Sequence, residues 1–168
     1  ERELAGIEAL DAVPELHRAY IEQRAMVNRY FNDDEEVDEE QIAKGHKRAT
    51  YLLDSLHHTA AKYDISLQIE KMVKDWQHLQ TNGLDMFVDE NTHLHNQMLN
   101  RVENIVKQIA TKSDLLLDPE IDTSFLIETS QFKLFELADY TTQLTDKAIE
   151  VASFGVFTET GVSAIKMS

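Results

Sequence analysis

The chain contains no cysteine, so disulfides, thiolate catalysis and cysteine-ligated metals are excluded. Two prolines and five glycines in 168 residues are too few for the many tight turns of an all-β protein. Cations are scarce beside acids. The 16 Lys and Arg face 31 Asp and Glu, and the net charge is −15. A surface that acidic repels phosphates, which argues against nucleic acid as a partner and against docking on an anionic lipid surface. No run approaches the roughly 18 apolar residues of a membrane span, and no signal-peptide pattern opens the chain. Gly-x-Ser-x-Gly elbows and phosphate-cradling glycine loops are also missing, so nothing points to an enzyme.

What the chain does have is helical spacing. The apolar share is 42%, ordinary for a globular protein, and the length suffices for a real core. Val13, Leu16, Tyr20, Gln23, Val27 and Tyr30 recur at three- and four-residue steps, which predicts a helix from about Glu3 to Phe31. Residues 32–38 read as an acidic turn whose carboxylates favour the next helix N-terminus. A second helix spans about Glu39 to Lys62, with Ile42, His46, Ala49, Leu53, Leu56, Ala60 and Tyr63 on its stripe. After a break at Asp64–Ser66, a third carries Ile69, Met72, Trp76 and Leu79 on one side. Asn82-Gly83 is a C-cap or a kink, and the spacing leaves open whether the chain reverses there. Helical pattern resumes by Glu90 and runs to Lys112 along His95, Leu99, Val102, Val106 and Ile109. Asp118 stands where an N-cap belongs and Pro119 at a first helical position. From Pro119 a further helix carries Ile121, Phe125, Glu128, Phe132 and Phe135 and runs to about Phe154, with Thr158 as a cap for a truncated fifth. Short connections predict an all-α antiparallel bundle of long helices, one domain over residues 1–168.

Polar residues interrupt the apolar stripes at Gln23, His46, His95 and Glu128, with Arg24 beside Gln23. A bundle core accepts such groups only when they are hydrogen-bonded. They line a ligand pocket between helices, or they are satisfied internal groups that fix helix register. Glu90-x-x-His93 matches half of a di-iron bundle motif. That site needs two such motifs and a Glu from each remaining helix, which this chain does not supply, so neither a metal nor another cofactor is expected.

Several strings, in order, carry a resemblance. Ser113-x-Leu115-x-Leu117-Asp118-Pro119-x-x-Asp122-Thr123-x-Phe125-Leu126 resembles a signature of all-helical extracytoplasmic sensor regions in bacterial membrane receptors. Gln23-Arg24-Ala25-Met26 through Tyr30-Phe31-Asn32-Asp33 is similar to the family's His-Arg-Gly-Met/Leu stretch at the end of its first helix. Trp76-x-x-Leu79 resembles its Trp-x-x-Leu, and Phe87 with His95-Asn96-x-Met98-Leu99 its Phe…His-Thr-x-Leu-Ile. The matches span Glu1 to about Phe157. Two departures stand out. The family's His-Arg-Gly is Gln23-Arg24-Ala25 here, and its Tyr-Tyr-Leu-Met-Asp is Ser124-Phe125-Leu126-Ile127-Glu128.

The resemblance implies the periplasmic sensor region of a chemoreceptor, sensor histidine kinase or diguanylate cyclase, with a histidine kinase of a two-component system slightly favoured. Helical pattern at both ends makes the chain read as a fragment of a longer extracytoplasmic region, joined to the membrane only through flanking spans. The implied partners are a small molecule or a periplasmic binding protein, and a second copy in an intact dimeric receptor. The alternative is a helical protein-interaction module without a small-molecule ligand. Candidate ligand-binding residues are Arg24, Gln23, His95, Asp122 and Glu128; Asp118, Pro119 and Trp76 are expected to be structural. Arg24, if buried, requires an anion: an acid of the last long helix such as Asp122 or Glu128, or a ligand carboxylate.

Overall fold

The structure, a computed structural model, describes residue 10 and residues 13–60, 63–112 and 133–154. Among these it is all-α: α1 is Val13–Phe31, α2 Glu39–Ala60, α3 Ser66–Asn82, α4 Val88–Lys112 and α5 Leu134–Phe154. A single 3-10 turn, Gly83–Asp85, separates α3 from α4. The helix start expected at Asp118-Pro119, and the stripe positions from Ile121 to Phe132, lie outside the described residues.

The first connection is specified locally. Asp33 adopts φ 57°, and its N–H bonds to Tyr30 O at 3.1 Å while that of Asp34 bonds to Arg29 O at 3.1 Å. That is a Schellman stop, with aspartate where glycine is usual. The Arg29 guanidinium beside Asp34 holds that carboxyl below its ordinary range. Four residues on, Asp38 Oδ1 accepts the Gln41 N–H at 2.8 Å, and Gln41 Oε1 accepts the Asp38 N–H at 3.0 Å. These reciprocal bonds form a capping box that opens α2. The acidic turn is therefore spent on ending one helix and starting the next.

Paired side chains give the helix directions. Along α1, Glu15, Glu22 and Gln23 meet Arg48, Arg48 and Ile42 in turn, so α2 runs antiparallel to it. Asp64 with Lys112, and Asp75 with Arg101, pair α3 and α4 antiparallel, so residues 83–87 reverse the chain rather than kink it. Asn91 helps close this reversal by donating to Gly83 O at 2.8 Å. Arg24 with Asn96, and Asn28 with Thr92, set α4 antiparallel to α1. By contrast, Arg24 with Asp139 and Asn28 with Asp146 advance together, so α5 runs alongside α1 in the same direction.

The core follows the stripes. Val13, Leu16, Tyr20, Leu53, Leu56, Ile69, Met72, Trp76, Leu79, Leu99, Val102, Val106 and Ile109 are all buried in one apolar cluster. A smaller cluster of Val27, Val37 and Ile42 closes the end near the first connection. Burial of this kind, about 25 cal/mol per Å² of apolar surface, is what makes short amphipathic helices persist.

Candidate functional site

Neighbouring positions on a helix point about 100° apart, and α1 uses that to send Gln23 and Arg24 different ways. Arg24 faces α4 and α5 and is 1% exposed, one of the largest fully buried side chains in the molecule. Its Nη1 donates to Asn96 Oδ1 at 2.6 Å and lies 2.8 Å from Asp139 Oδ1. Its Nε lies 3.7 Å from Asp146 Oδ2. One turn further along α1, Asn28 Nδ2 donates to Asp146 Oδ2 at 3.0 Å, and the Thr92 hydroxyl donates to Asn28 Oδ1 at 3.2 Å. Three helices thus close around one guanidinium.

The charges at this site are met but the hydrogen bonding is not. Arg24 Nη2 and Nε make no hydrogen bond among the described residues, and Asp139 Oδ1 approaches as an ion pair without hydrogen-bond geometry. A buried donor without a partner costs about 1–3 kcal/mol. The site therefore retains capacity for a further acceptor. Burial pushes the Asp146 carboxyl above its ordinary range, outweighing the pull of Arg24 and the Asn28 hydrogen bond, and the Asp139 charge adds to the rise.

Beside this cluster lie three buried histidines. His17, His46 and His95 are each lowered from 6.5 to about 4, first by burial. For His17 the Asp139 charge opposes the shift and Arg24 adds to it. The Nδ1 of His95 is 3.0 Å from Asn91 O. A carbonyl only accepts, so Nδ1 carries the proton and Nε2 is left as an acceptor with no hydrogen-bond partner among the described residues. The Trp76 ring stands between His46 and His95, with centroids at 5.2 and 6.1 Å and edge-on geometry to both. Tyr20 tilts against the same indole at 4.8 Å. The indole N–H donates to Thr50 Oγ1 at 3.0 Å. Burial also drives the Tyr20 phenol up, so it stays protonated.

Of the residues singled out from sequence, Arg24 and His95 fall on this side of α1, and Trp76 packs in the core beside His95. Gln23 does not join them. Its Nε2 donates to Ile42 O at 3.2 Å on α2, and it borders a separate open groove of about 330 Å³ with Lys44, Gly45 and Arg48. Asp122 and Glu128 lie outside the described residues. The acids found on Arg24 are Asp139 and Asp146, further along the same expected helix. The signal for them was present. Extending the stripe Glu128, Phe132, Phe135 by three- and four-residue steps lands on Asp139, Thr142 and Asp146. His17 and Asn91, also missed, lie four residues from Val13 and His95 on their stripes.

Among the described residues no group of three or more His, Asp or Glu could hold a metal ion, and no helix is long and apolar enough to cross a membrane. No protein-family model matches the chain, and neither a curated protein nor a solved structure does.

Proposed function

We propose that this chain is the signal-sensing part of a bacterial transmembrane receptor, acting on the extracytoplasmic side of the inner membrane, with a histidine kinase as the favoured output. The observation that carries the reading is Arg24: a buried, incompletely hydrogen-bonded guanidinium that ties α5 to α1 and α4. The ordered motif resemblance supports it. An anionic ligand that takes an Arg24 donor changes how strongly α5 is held. The differential affinity of ligand for two α5 positions is the free energy available for signalling. Asn96 and the Asp139 carboxylate set the geometry that the ligand meets.

The test is a thermal-shift panel of metabolites and inorganic anions on the wild-type chain and on Arg24→Lys. Lysine keeps the charge beside Asp139 and Asp146 but loses the planar fork that grips a carboxylate. A ligand at 100 times its Kd adds about 2.7 kcal/mol of stability, and Arg24→Lys is expected to remove most of that gain while folding normally. A panel with no hit, or a hit that Arg24→Lys binds equally well, overturns the reading.

A second reading, a helical interaction module, has one specific observation in its favour. Helix α5 turns Leu134, Leu137, Tyr140 and Leu144 outward, each more than half exposed. Their spacing of three and four residues forms an apolar seam suited to a second copy. Sedimentation velocity checks it. Association at high concentration that is lost in Leu137→Glu/Leu144→Glu, with no ligand found, favours the module.

A further inference from the structure

A second cavity, of about 500 Å³, opens between the start of α3 and the C-terminal half of α4. From Asn96, which touches Arg24, to Lys107 in this groove is eleven residues along α4, about 16 Å at helical rise. Its lining is Gln68 and Lys71 from α3 and Arg101, Asn104, Lys107, Gln108, Thr111 and Lys112 from α4. Among the described residues that line it, four side chains are cations and none is a carboxylate. In a chain with only 16 Lys and Arg against 31 acids, that concentration runs against the composition.

Cations near a helix C-terminus also compensate its dipole. That accounts for Lys112, the basic residue of the last turn of α4. It does not account for Lys71 on α3, nor for Arg101 about three turns from the end. Ion pairs at its edges join Asp75 to Arg101 and Asp64, almost fully exposed, to Lys112 at 3.2 Å. An ion pair that exposed is worth little, so Lys112 is readily shared. The wall opposite adds to the positive field. Helix α3 begins at Ser66 with no side-chain cap hydrogen bond and no acid in its first turn.

We propose that this groove binds a small, multiply charged anion, a polyphosphate or a polycarboxylate. The aliphatic stems of the lysines supply an apolar floor, the ammonium and guanidinium groups supply the charge, and the amides of Gln68, Asn104 and Gln108 fix orientation. A cavity of this size holds a small metabolite rather than a polymer. The proposal does not depend on the sensor reading, because none of these residues contacts Arg24.

Isothermal titration at constant ionic strength tests it, with inorganic pyrophosphate and propane-1,2,3-tricarboxylate as probes and acetate as the monoanion control. Saturable binding of either polyanion, absent for acetate, is expected. Which probe binds more tightly distinguishes phosphate from carboxylate chemistry. Lys71→Glu/Lys107→Glu is expected to weaken binding about tenfold or more, whereas Arg24→Lys leaves it unchanged. If the charge-reversed pair does not fold by circular dichroism, Lys71→Gln/Lys107→Gln makes the same comparison. Binding no stronger than that of acetate overturns the proposal. So does polyanion binding that survives both double variants, and polyanion binding lost only in Arg24→Lys would assign the ligand to the Arg24 site instead.

Discussion

Two neighbouring side chains on α1 show how much one residue can hold. Removing Arg24 leaves Asp139 and Asp146 facing each other's charge without their cation. Breaking a fully buried pair costs about 3–5 kcal/mol, and because both acids keep some contact with solvent, Arg24→Ala is expected to lose about 2–4 kcal/mol. Urea denaturation measures it; an unchanged midpoint would show that Arg24 does not tie the helices. Gln23 acts by contact rather than charge. A Cβ added at Gly45 would lie 2.0 Å from Gln23 Oε1, so glycine there lets α1 and α2 approach. Gly45→Ala gains about 1 kcal/mol of helix propensity but must displace the buried Gln23 amide from Ile42 O, an overpacking cost of about 1–3 kcal/mol. Net destabilisation is expected. In a Gln23→Ala background the obstruction is gone, and the same Gly45→Ala change is expected to stabilise by about 1 kcal/mol. A double-mutant cycle checks that reversal of sign.

At the scale of elements, helix ends and helix faces behave differently. The stop of α1 sits on Asp33 at φ 57°, a conformation costing an L-residue about 1–2 kcal/mol, and its carboxylate also opposes the helix C-terminal dipole. Asp33→Gly relieves both and is expected to raise the unfolding midpoint by an amount worth about 1 kcal/mol; a lower midpoint would mean the Asp33 carboxylate has a partner that outweighs the strain. Helix faces were legible wherever a stripe was apolar: the stripe positions of α3 and α4 are all buried. On α5 the continuation of the expected stripe is acidic rather than apolar. That helix sets Asp139 and Asp146 toward Arg24 while Leu137 and Leu144 face solvent. Periodicity locates faces, but it does not say which face the bundle takes when a buried cation draws acids inward.

For the whole molecule, three buried histidines among the described residues link stability to pH. His17, His46 and His95 are lowered from 6.5 in the unfolded chain to about 4 in the fold. Above about pH 6.5 all are neutral in both states, and the full stability is present. As pH falls from 6.5 toward 4 the unfolded chain binds protons that the fold refuses, so stability is lost through that window, by up to about 1.4 kcal/mol per pH unit for each histidine. Asp146, held above its ordinary range, has the opposite sign and is favoured by protonation at the acid end. The unfolding midpoint is therefore expected to drop steeply between pH 7 and 5, and His95→Gln is expected to flatten the drop by roughly a third. A profile flat from pH 7 to 5 would show that these imidazoles titrate normally.

Over the described residues the sequence by itself determined the helical segments, the stops at Phe31 and near Asn82, and the apolar positions that form the core, because spacing and capping act within a few residues. It also determined that a buried Arg24 needs an anion, since no folded chain leaves a guanidinium in its interior unanswered. Only the tertiary structure decided that residues 83–87 reverse the chain, that Gln23 and Arg24 serve different helices, and that Asp139 and Asp146 answer Arg24. It alone gathered Lys71, Arg101, Lys107 and Lys112 into one groove. Those outcomes depend on which helix packs against which and in what direction, and that is fixed by contacts between residues 19 to 118 positions apart, beyond the reach of any local pattern.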